Sequence, residues 1–480
     1  MDTSIKENKS LFWFYALVFC FIALNAAFIA FENFYFVLVP FIFLFVGFYF
    51  FSLDKILWLI VFATPLSLNI RNTEMGFGIS LPTEPLMIGV FLVFVLRLFS
   101  EEKMDKKIIF HPITIAILIN LFWLLVTSFT STMPLVSFKF LIARFWFIAS
   151  FYFFGLVIFK KPERFIRFVV LYCLGFSFVI AYTIYNHKLY GYTQESSNWV
   201  MSPFYNDHTI YGAVLAMFLP ALIGFLFIPG KSLMFKTMIV SAVIVFTIAL
   251  LLSYTRAAWL SLVFALIAFL IFYFKIKFRT ISLVALSIAI LGLIFSKQIL
   301  MKLEKNRQDS SSDITQHVKS ISNISSDASN LERINRWKSA LRMFEEKPIL
   351  GFGPGTYAFK YAPYQFSSEK TIISTNAGNK GNAHSEYIGP LSESGVLGML
   401  TFLSIVIITS ITSIKLIKQL EDKTLKIFVG SAFLGLCTYF VHGTLNNFLD
   451  TDKASVPFWG FIAIIAAVDI YQNKKTTHLE

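Results

Sequence analysis

The chain has 480 residues, of which 56% are hydrophobic and only 14% charged, well below the roughly 25% charged residues of soluble domains. Mean hydropathy is +0.69, and apolar stretches of about 20 residues, the length a helix needs to cross a bilayer, recur along nearly the whole sequence. A soluble domain on a single anchor is excluded. The formal net charge of +13 does not imply a nucleic-acid partner either, because the basic residues sort to one side of the apolar stretches.

The expected fold class is all-α and polytopic, with about 12–14 transmembrane helices. The candidate spans are 11–30, 34–52, 55–70, 83–98, 112–130, 136–158, 166–185, 207–228, 237–252, 257–274, 280–297, 387–412, 427–446 and 455–471. The first is too long for a signal-peptide core, and a second span follows Glu32 and Asn33 with no cleavage site, so it reads as a span. The stretches 55–70 and 83–98 are short, which fits a tilted or re-entrant path. Cys20, Cys173 and Cys437 all fall inside apolar stretches and give neither a disulfide framework nor a metal site. With the N-terminus inside, roughly twenty-two Lys and Arg residues collect on the inner side, while the short outer loops keep little beyond Arg71, Lys188 and Lys453. Both termini are therefore expected in the cytoplasm. The chain divides into N-terminal spans (1–200), central spans (201–300), a large outer loop (301–386) and C-terminal spans (387–480).

Polar residues punctuate this pattern. Lys139 and Arg144 lie in or near the span 136–158, where they contact lipid phosphate or line a cavity. Asn206, Asp207 and His208 open the span at 207 on the outer side, where Asn206 or Asp207 can cap the helix. Arg256 stands between the apolar runs 246–254 and 257–274. Its permanent charge would cost roughly 3 kcal/mol in hydrocarbon, so it must sit at a membrane surface or in a wet, protein-lined cavity, and it is a functional candidate by default.

The outer loop is too long for a plain connector. Its first part, 306–329, is rich in Ser, Asp and Asn and is expected to be flexible. Ser329-Asn330-Leu331-Glu332 has the spacing of a capping box, and the helix it starts is predicted to end at Lys347-Pro348. On that helix Ile334, Trp337, Ala340, Leu341 and Phe344 form an apolar face. Arg333 projects into this face and Arg336 lies at its edge. Arg333 either snorkels along Trp337 or meets an anionic partner. The glycine-rich turn 348–355 lacks the preceding strand and Gly-Lys-Ser/Thr ending of a phosphate loop, and reads as a tight turn laid on the membrane surface. His384 comes just ahead of the span at 387, at a helix N-terminus whose dipole disfavours an imidazolium and welcomes anions. It is a candidate general base or a cap. His442, Asn446, Asn447, Asp450 and Asp452 fall on the same side without a metal-ligand spacing.

Three stretches together resemble the O-antigen ligase and polymerase family, membrane glycosyltransferases that use polyprenyl-diphosphate-linked glycans. The first is Ser253-Tyr254-Thr255-Arg256-Ala257-Ala258-Trp259-Leu260. The second is Arg333-Ile334-Asn335-Arg336-Trp337 followed by Pro348-Ile349-Leu350-Gly351-Phe352-Gly353-Pro354-Gly355. The third is His384-Ser385-Glu386-Tyr387 with Glu393-Ser394-Gly395-Val396-Leu397-Gly398. The likeness is strongest over about 200–450, and Ser385 departs from the family's usual asparagine. The resemblance implies a C-type glycosyltransferase fold and an inverting transfer, independent of metal and cofactor, at the outer face of the bacterial inner membrane. The donor it implies is an undecaprenyl-diphosphate-linked glycan, and the acceptor a glycan or a lipid. Arg256 and Arg333 would stabilise the leaving diphosphate and His384 would take the acceptor proton. Arg336 would be a reserve phosphate contact, Glu386 would orient the histidine or bind sugar hydroxyls, and His208 and Asn206 would contact the donor. Ligase and polymerase share this donor and leaving group. A flippase would instead spread charge through the depth of a cavity and carry internal repeats; the key charges here gather at one face.

Overall fold

The computed structural model describes residues 2–32, 35–72, 77–99, 105–277, 279–280, 283, 287, 328–371, 374 and 381–472. Among these, ten helices are long and apolar enough to cross a membrane, and the chain is an all-α polytopic membrane protein. It divides into two compact units, Met1–Leu57 and Trp58–Glu480.

In the first unit, helix α1 (Asp2–Ala30) leads to a 3-10 turn, Tyr35–Leu38, and helix α2 (Val39–Phe51). Side chains such as Phe12, Leu17 and Phe19 on α1 are exposed, as a helix apolar all round requires when its solvent is hydrocarbon. Phe36 stacks on Phe28 at 4.8 Å between ring centroids. The expected span 34–52 is thus a helix of 13 residues after a 3-10 turn.

The expected span 55–70 is only partly helical. Helix α3 (Leu53–Ala63) gives way to a 3-10 turn and then to strand β1 (Leu68–Asn72), which pairs antiparallel with β2 (Phe77–Leu81). This hairpin was not foreseen: apolar length reports burial, not conformation. Lys453 anchors the 3-10 turn by donating to the carbonyls of Thr64 at 2.6 Å and Ser67 at 2.7 Å, while Asp452 accepts from Thr83 at 2.6 Å and from Ser67. Lys453, expected in a plain outer loop, is therefore buried and structural.

Next come α4 (Thr83–Phe99), α5 (Pro112–Phe129) and α6 (Pro134–Ile148), the last continuing through a wide turn at Ala149–Phe153 into Phe154–Ile158. Helices α7 (Arg164–Leu189), α8 (His208–Phe225), α9 (Leu233–Leu252) and α10 (Arg256–Tyr273) follow. Apart from Thr280, Leu283, Ser287, Ala328 and Ser329, the span expected at 280–297 and the segment 306–329, expected to be flexible, lie outside the described residues. The chain resumes with α11 (Ala328–Glu346) and ends in α12 (Ile388–Gln419), α13 (Lys423–His442) and α14 (Asp452–Tyr471). Helix α14 is the axis of this unit, buried along 94% of its apolar window. Small residues let backbones approach, as expected where packing replaces the hydrophobic effect: a methyl on Gly435 of α13 would lie 2.5 Å from the Met217 carbonyl of α8.

The main irregularity is in α12, which breaks at Gly395 (φ 70°). Inside a membrane protein the freed backbone groups need partners. The carbonyls of Ser392 and Glu393 accept from the amides of Phe352 (3.2 Å) and Gly353 (2.7 Å), and the Val396 amide donates to the Pro348 carbonyl (2.9 Å). The Ser394 carbonyl accepts from the Trp123 indole at 2.8 Å. The glycine-rich turn is thus plugged into the break of α12 and not laid on the membrane surface. Its far side meets the α5–α6 turn, where Thr132 Oγ1 donates to the Phe352 carbonyl at 2.8 Å and Ser137 to that of Pro354 at 2.8 Å.

Two glycines make the docking possible. A methyl on Gly395 would lie 1.9 Å from the Ile349 carbonyl oxygen, and one on Gly351 (φ 65°) 2.4 Å from the Glu393 carbonyl. Gly395→Ala is expected to cost about 2–4 kcal/mol through strain and overpacking. Gly430→Ala, where an added methyl meets nothing within 4 Å, should be neutral. Melting temperatures of the two detergent-purified variants check this, and equal values would refute the plugged break.

Candidate active site

The site forms where the beginnings of α8, α10 and α12 meet the end of α13 and the loop helix α11. Arg256 is the first residue of α10. The turn before it reverses through Tyr254 in the left-handed region (φ 50°), and Thr255 Oγ1 donates to the His208 carbonyl at 2.7 Å, which ties α10 to the start of α8. The guanidinium therefore sits at a helix N-terminus, where the free amides also favour an anion. The charge is kept out of the apolar run, as its cost requires.

Asp207 is the N-cap of α8, accepting from the amides of Thr209 (2.7 Å) and Ile210 (3.1 Å). Next to it Asn206 is exposed. At the end of α13 the Nε2 of His442 pairs with the side-chain amide of Asn446 at 3.1 Å. The Arg333 guanidinium reaches across from α11, its Nε donating to the Leu445 carbonyl at 3.2 Å. Its partner there is a neutral carbonyl, so snorkelling does not describe it.

These groups share one electrostatic neighbourhood. His208 feels Arg333, Arg256 and Asp207; His442 feels Arg333, Asp207 and His208. His384, half-buried, feels Arg333, Arg336, Asp207 and Glu332. Arg256 and Arg333 thus both act on His208, and Arg333 acts on His384 as well. Burial and the charges of Arg333 and Arg336 hold His384 well below the usual imidazole range, at about 4, so at neutral pH it is unprotonated and able to accept a proton. Its backbone is left-handed (φ 49°), fixed by an Asn382 side-chain bond to its amide at 3.1 Å.

His384 is not the cap of α12. The N-cap position is Tyr387, and just ahead of it Ser385 Oγ accepts from the amides of Tyr387 and Ile388, both at 3.2 Å. Glu386 makes no hydrogen bond to His384 among the described residues, and its carboxylate is tied to the end of α13 and the turn that follows. One oxygen of its carboxylate accepts from the amides of Phe448 (2.8 Å) and Leu449 (2.9 Å) and from the Tyr439 hydroxyl (2.7 Å). Arg336, expected as a phosphate contact, is buried in the loop. It pairs with Glu332 at 2.6 Å and stacks on the Tyr361 ring at 4.1 Å.

The loop helix departs from its expected face for the same reason. Its buried residues are Glu332, Asn335, Arg336, Ser339, Ala340 and Met343, while Leu341 is exposed. Burial opposes ionisation of Glu332, but hydrogen bonds from Ser374, Arg336 and Thr371 hold it below the usual carboxylate range. The helix begins at Ala328, so Ser329 lies within it, and Glu332 serves this network instead of a capping box. Asp452, considered beside the histidines as a metal ligand, is committed to Ser67 and Thr83. Among the described residues no group of three or more His, Cys, Asp or Glu side chains is arranged to hold a metal ion.

Residues 240–403 match the family model described as O-antigen ligase. The match covers about a third of the chain and supports a likeness of this segment to that family. The matched segment contains Arg256, Arg333 and His384, whereas His208 and His442 come from outside it. A comparison with curated proteins returned no match.

The neutrality of His384 is testable by diethyl pyrocarbonate labelling, which needs an uncharged imidazole. Labelling at His384, followed by peptide mass spectrometry, should have its half-point near pH 4, where the shift places it, instead of the ordinary 6.5. Arg333→Gln should move the half-point upward. A wild-type half-point near 6.5 would refute the electrostatic description.

Proposed function

We propose that the protein is an O-antigen ligase-like membrane glycosyltransferase of C-type architecture. It transfers a glycan from undecaprenyl diphosphate to an acceptor hydroxyl on a lipid A-core or other surface acceptor, at the outer face of the bacterial inner membrane, with both termini cytoplasmic. The observation that carries this reading is the meeting of Arg256 and Arg333 around His208, with His384 sharing Arg333. A diphosphate leaving group gathers charge as the glycosidic bond breaks. Fixed guanidiniums stabilise that charge, and a helix N-terminus adds aligned amides. Arg256 supplies both at one place.

His384 then acts on the acceptor. Its unprotonated imidazole removes the hydroxyl proton as the oxygen attacks the anomeric carbon from the face opposite the diphosphate, which inverts the configuration. Arg333, which would hold the donor, acts with burial and Arg336 to keep His384 neutral until the anion arrives. A bound diphosphate then offsets their charge and raises the affinity of the imidazole for the proton it must take. His208 and the exposed Asn206 stand beside the cations as contacts to the donor. Arg336 and Glu386 serve by holding the loop helix and the α13–α14 turn.

Arg256→Ala, Arg333→Ala and His384→Ala are each expected to lower glycan transfer by about 10²–10³-fold or more, as loss of a charge-stabilising donor does, with membrane insertion intact. The assay is incubation of the purified protein with undecaprenyl-diphosphate glycan and candidate acceptors, followed by product sizing. One addition to a non-polyprenyl acceptor identifies a ligase, and a ladder on polyprenyl diphosphate identifies a polymerase. Full activity of the His384 variant would remove the base assignment. Chelation of divalent metal should leave the rate unchanged, and loss restored by added metal would overturn the metal-independent mechanism.

A further inference from the structure

A cavity of about 340 Å³ opens on the other side of the segment that carries His384. Asn382, Ala383, Ser385 and Glu386 line it, while the His384 side chain is not part of its wall. The cavity runs down α6 past Lys139 to Arg144 and Trp146. Arg144 lies about 15 Å along α6 from the Pro134 end, at 1.5 Å per residue. A cation at that depth is tolerated only beside water, protein or a polar guest.

The wall carries three buried polar atoms that no protein group among the described residues satisfies: Arg144 Nη1, Trp146 Nε1 and Asn447 Oδ1. Two are donors and one is an acceptor, and buried groups of this kind are rarely left without a partner. Around them stand the carboxylates of Glu84, Glu393 and Asp450 and the aromatic rings of Phe140, Trp146 and Tyr357. Glu393 has already placed one oxygen on the Tyr357 amide at 3.0 Å.

This combination fits one ligand chemistry. A phosphate would meet three carboxylates against the two cations Lys139 and Arg144, and an apolar chain would leave the donors and the acceptor unsatisfied. A polyhydroxylated ring offers each hydroxyl as donor and acceptor together, and its C–H faces pack on aromatic rings. The volume is at the small end of the roughly 300–1,000 Å³ typical of small-molecule sites, suitable for the end of a glycan. We propose that this cavity is a saccharide subsite, with Arg144, Trp146 and Asn447 as its hydrogen-bonding residues, separated by the 382–386 segment from the arginine–histidine cluster. The saccharide is the terminal sugar of either the donor or the acceptor. This deepens the glycosyl-transfer reading and rests on it only for which of the two sugars is bound.

The test uses the full-length protein in nanodiscs and two probes read separately. Methyl glycosides of N-acetylglucosamine, galactose and glucuronic acid are followed by saturation-transfer NMR, and undecaprenyl diphosphate by native mass spectrometry. At least one glycoside should bind the wild type. Its affinity should fall about tenfold in Asn447→Leu and in Trp146→Phe, as loss of one hydrogen bond predicts, with melting temperature and undecaprenyl diphosphate binding unchanged. Where Asn447→Leu fails to fold, Trp146→Phe, which keeps a ring and removes only the indole N–H side, carries the test. Displacement of the glycoside by an undecaprenyl-diphosphate glycan, but not by undecaprenyl diphosphate alone, assigns the subsite to the donor sugar; displacement by neither assigns it to the acceptor. No binding across the panel, or binding unchanged in the folded variants, overturns the proposal. Glycoside binding with no binding of undecaprenyl diphosphate would leave the subsite standing and defeat the glycosyl-transfer reading.

Discussion

A helix broken within an apolar protein leaves amides and carbonyls that water cannot reach, and everything around α12 is arranged to satisfy them. The break at Gly395 exposes the carbonyls of Ser392, Glu393 and Ser394, and the turn 348–355 and Trp123 occupy all three. The turn can enter only because glycines stand on both faces of the contact. Once plugged in, it fixes the end of α11 on one side and the α5–α6 turn on the other. The loop helix bearing Arg333 is thereby held against the transmembrane bundle by backbone geometry. An arginine brought to the site by a loop is usually less well placed than one on a rigid element; here the loop has been made rigid.

The electrostatics of the cluster follow from that placement. Cations alone would attract any anion, and a histidine at its ordinary affinity for protons would be partly charged beside them. Bringing Arg333 close to His384 removes that ambiguity, because the guanidinium cannot release its proton and the imidazole can. Asp207 tempers the field without cancelling it, since its carboxylate is also the cap of α8. The free site is positive and holds a neutral base.

Much of this was legible in the sequence where one residue carries one cost. Arg256 between two apolar runs had to lie at a helix end, and it is the first residue of α10. The class of the fold followed from composition and apolar length. What was illegible depended on pairing. Arg336 looked like a second ligand cation because its partner, Glu332, sits four residues earlier and was read as a cap. Ile334 to Phe344 looked like the buried face because polar side chains are assumed to face out, whereas Asn335, Arg336 and Ser339 are buried in a satisfied network. Strands β1 and β2 fall largely between the expected spans 55–70 and 83–98, where residues such as Asn69, Arg71 and Asn72 read as a plain connector. Arg144 was read as a lipid-phosphate contact or a cavity-lining residue, but its pairing with Asn447 in one wall was out of reach, since the two are remote in sequence.

One short turn joins these parts. Between α13 and α14, the Leu445 carbonyl holds Arg333, Asn446 holds His442, Asn447 faces the cavity, and the amides of Phe448 and Leu449 hold Glu386. Glu386 follows His384 by two residues, and its amide donates to the Gly443 carbonyl at 2.8 Å. The cation, the base and the cavity wall are therefore referenced to one backbone segment, and movement of that turn shifts all three together. Transfer between two large substrates requires that the attacking oxygen, the base and the leaving group be aligned within fractions of an ångström. A common reference is how a loop helix and four helix ends can hold such an alignment.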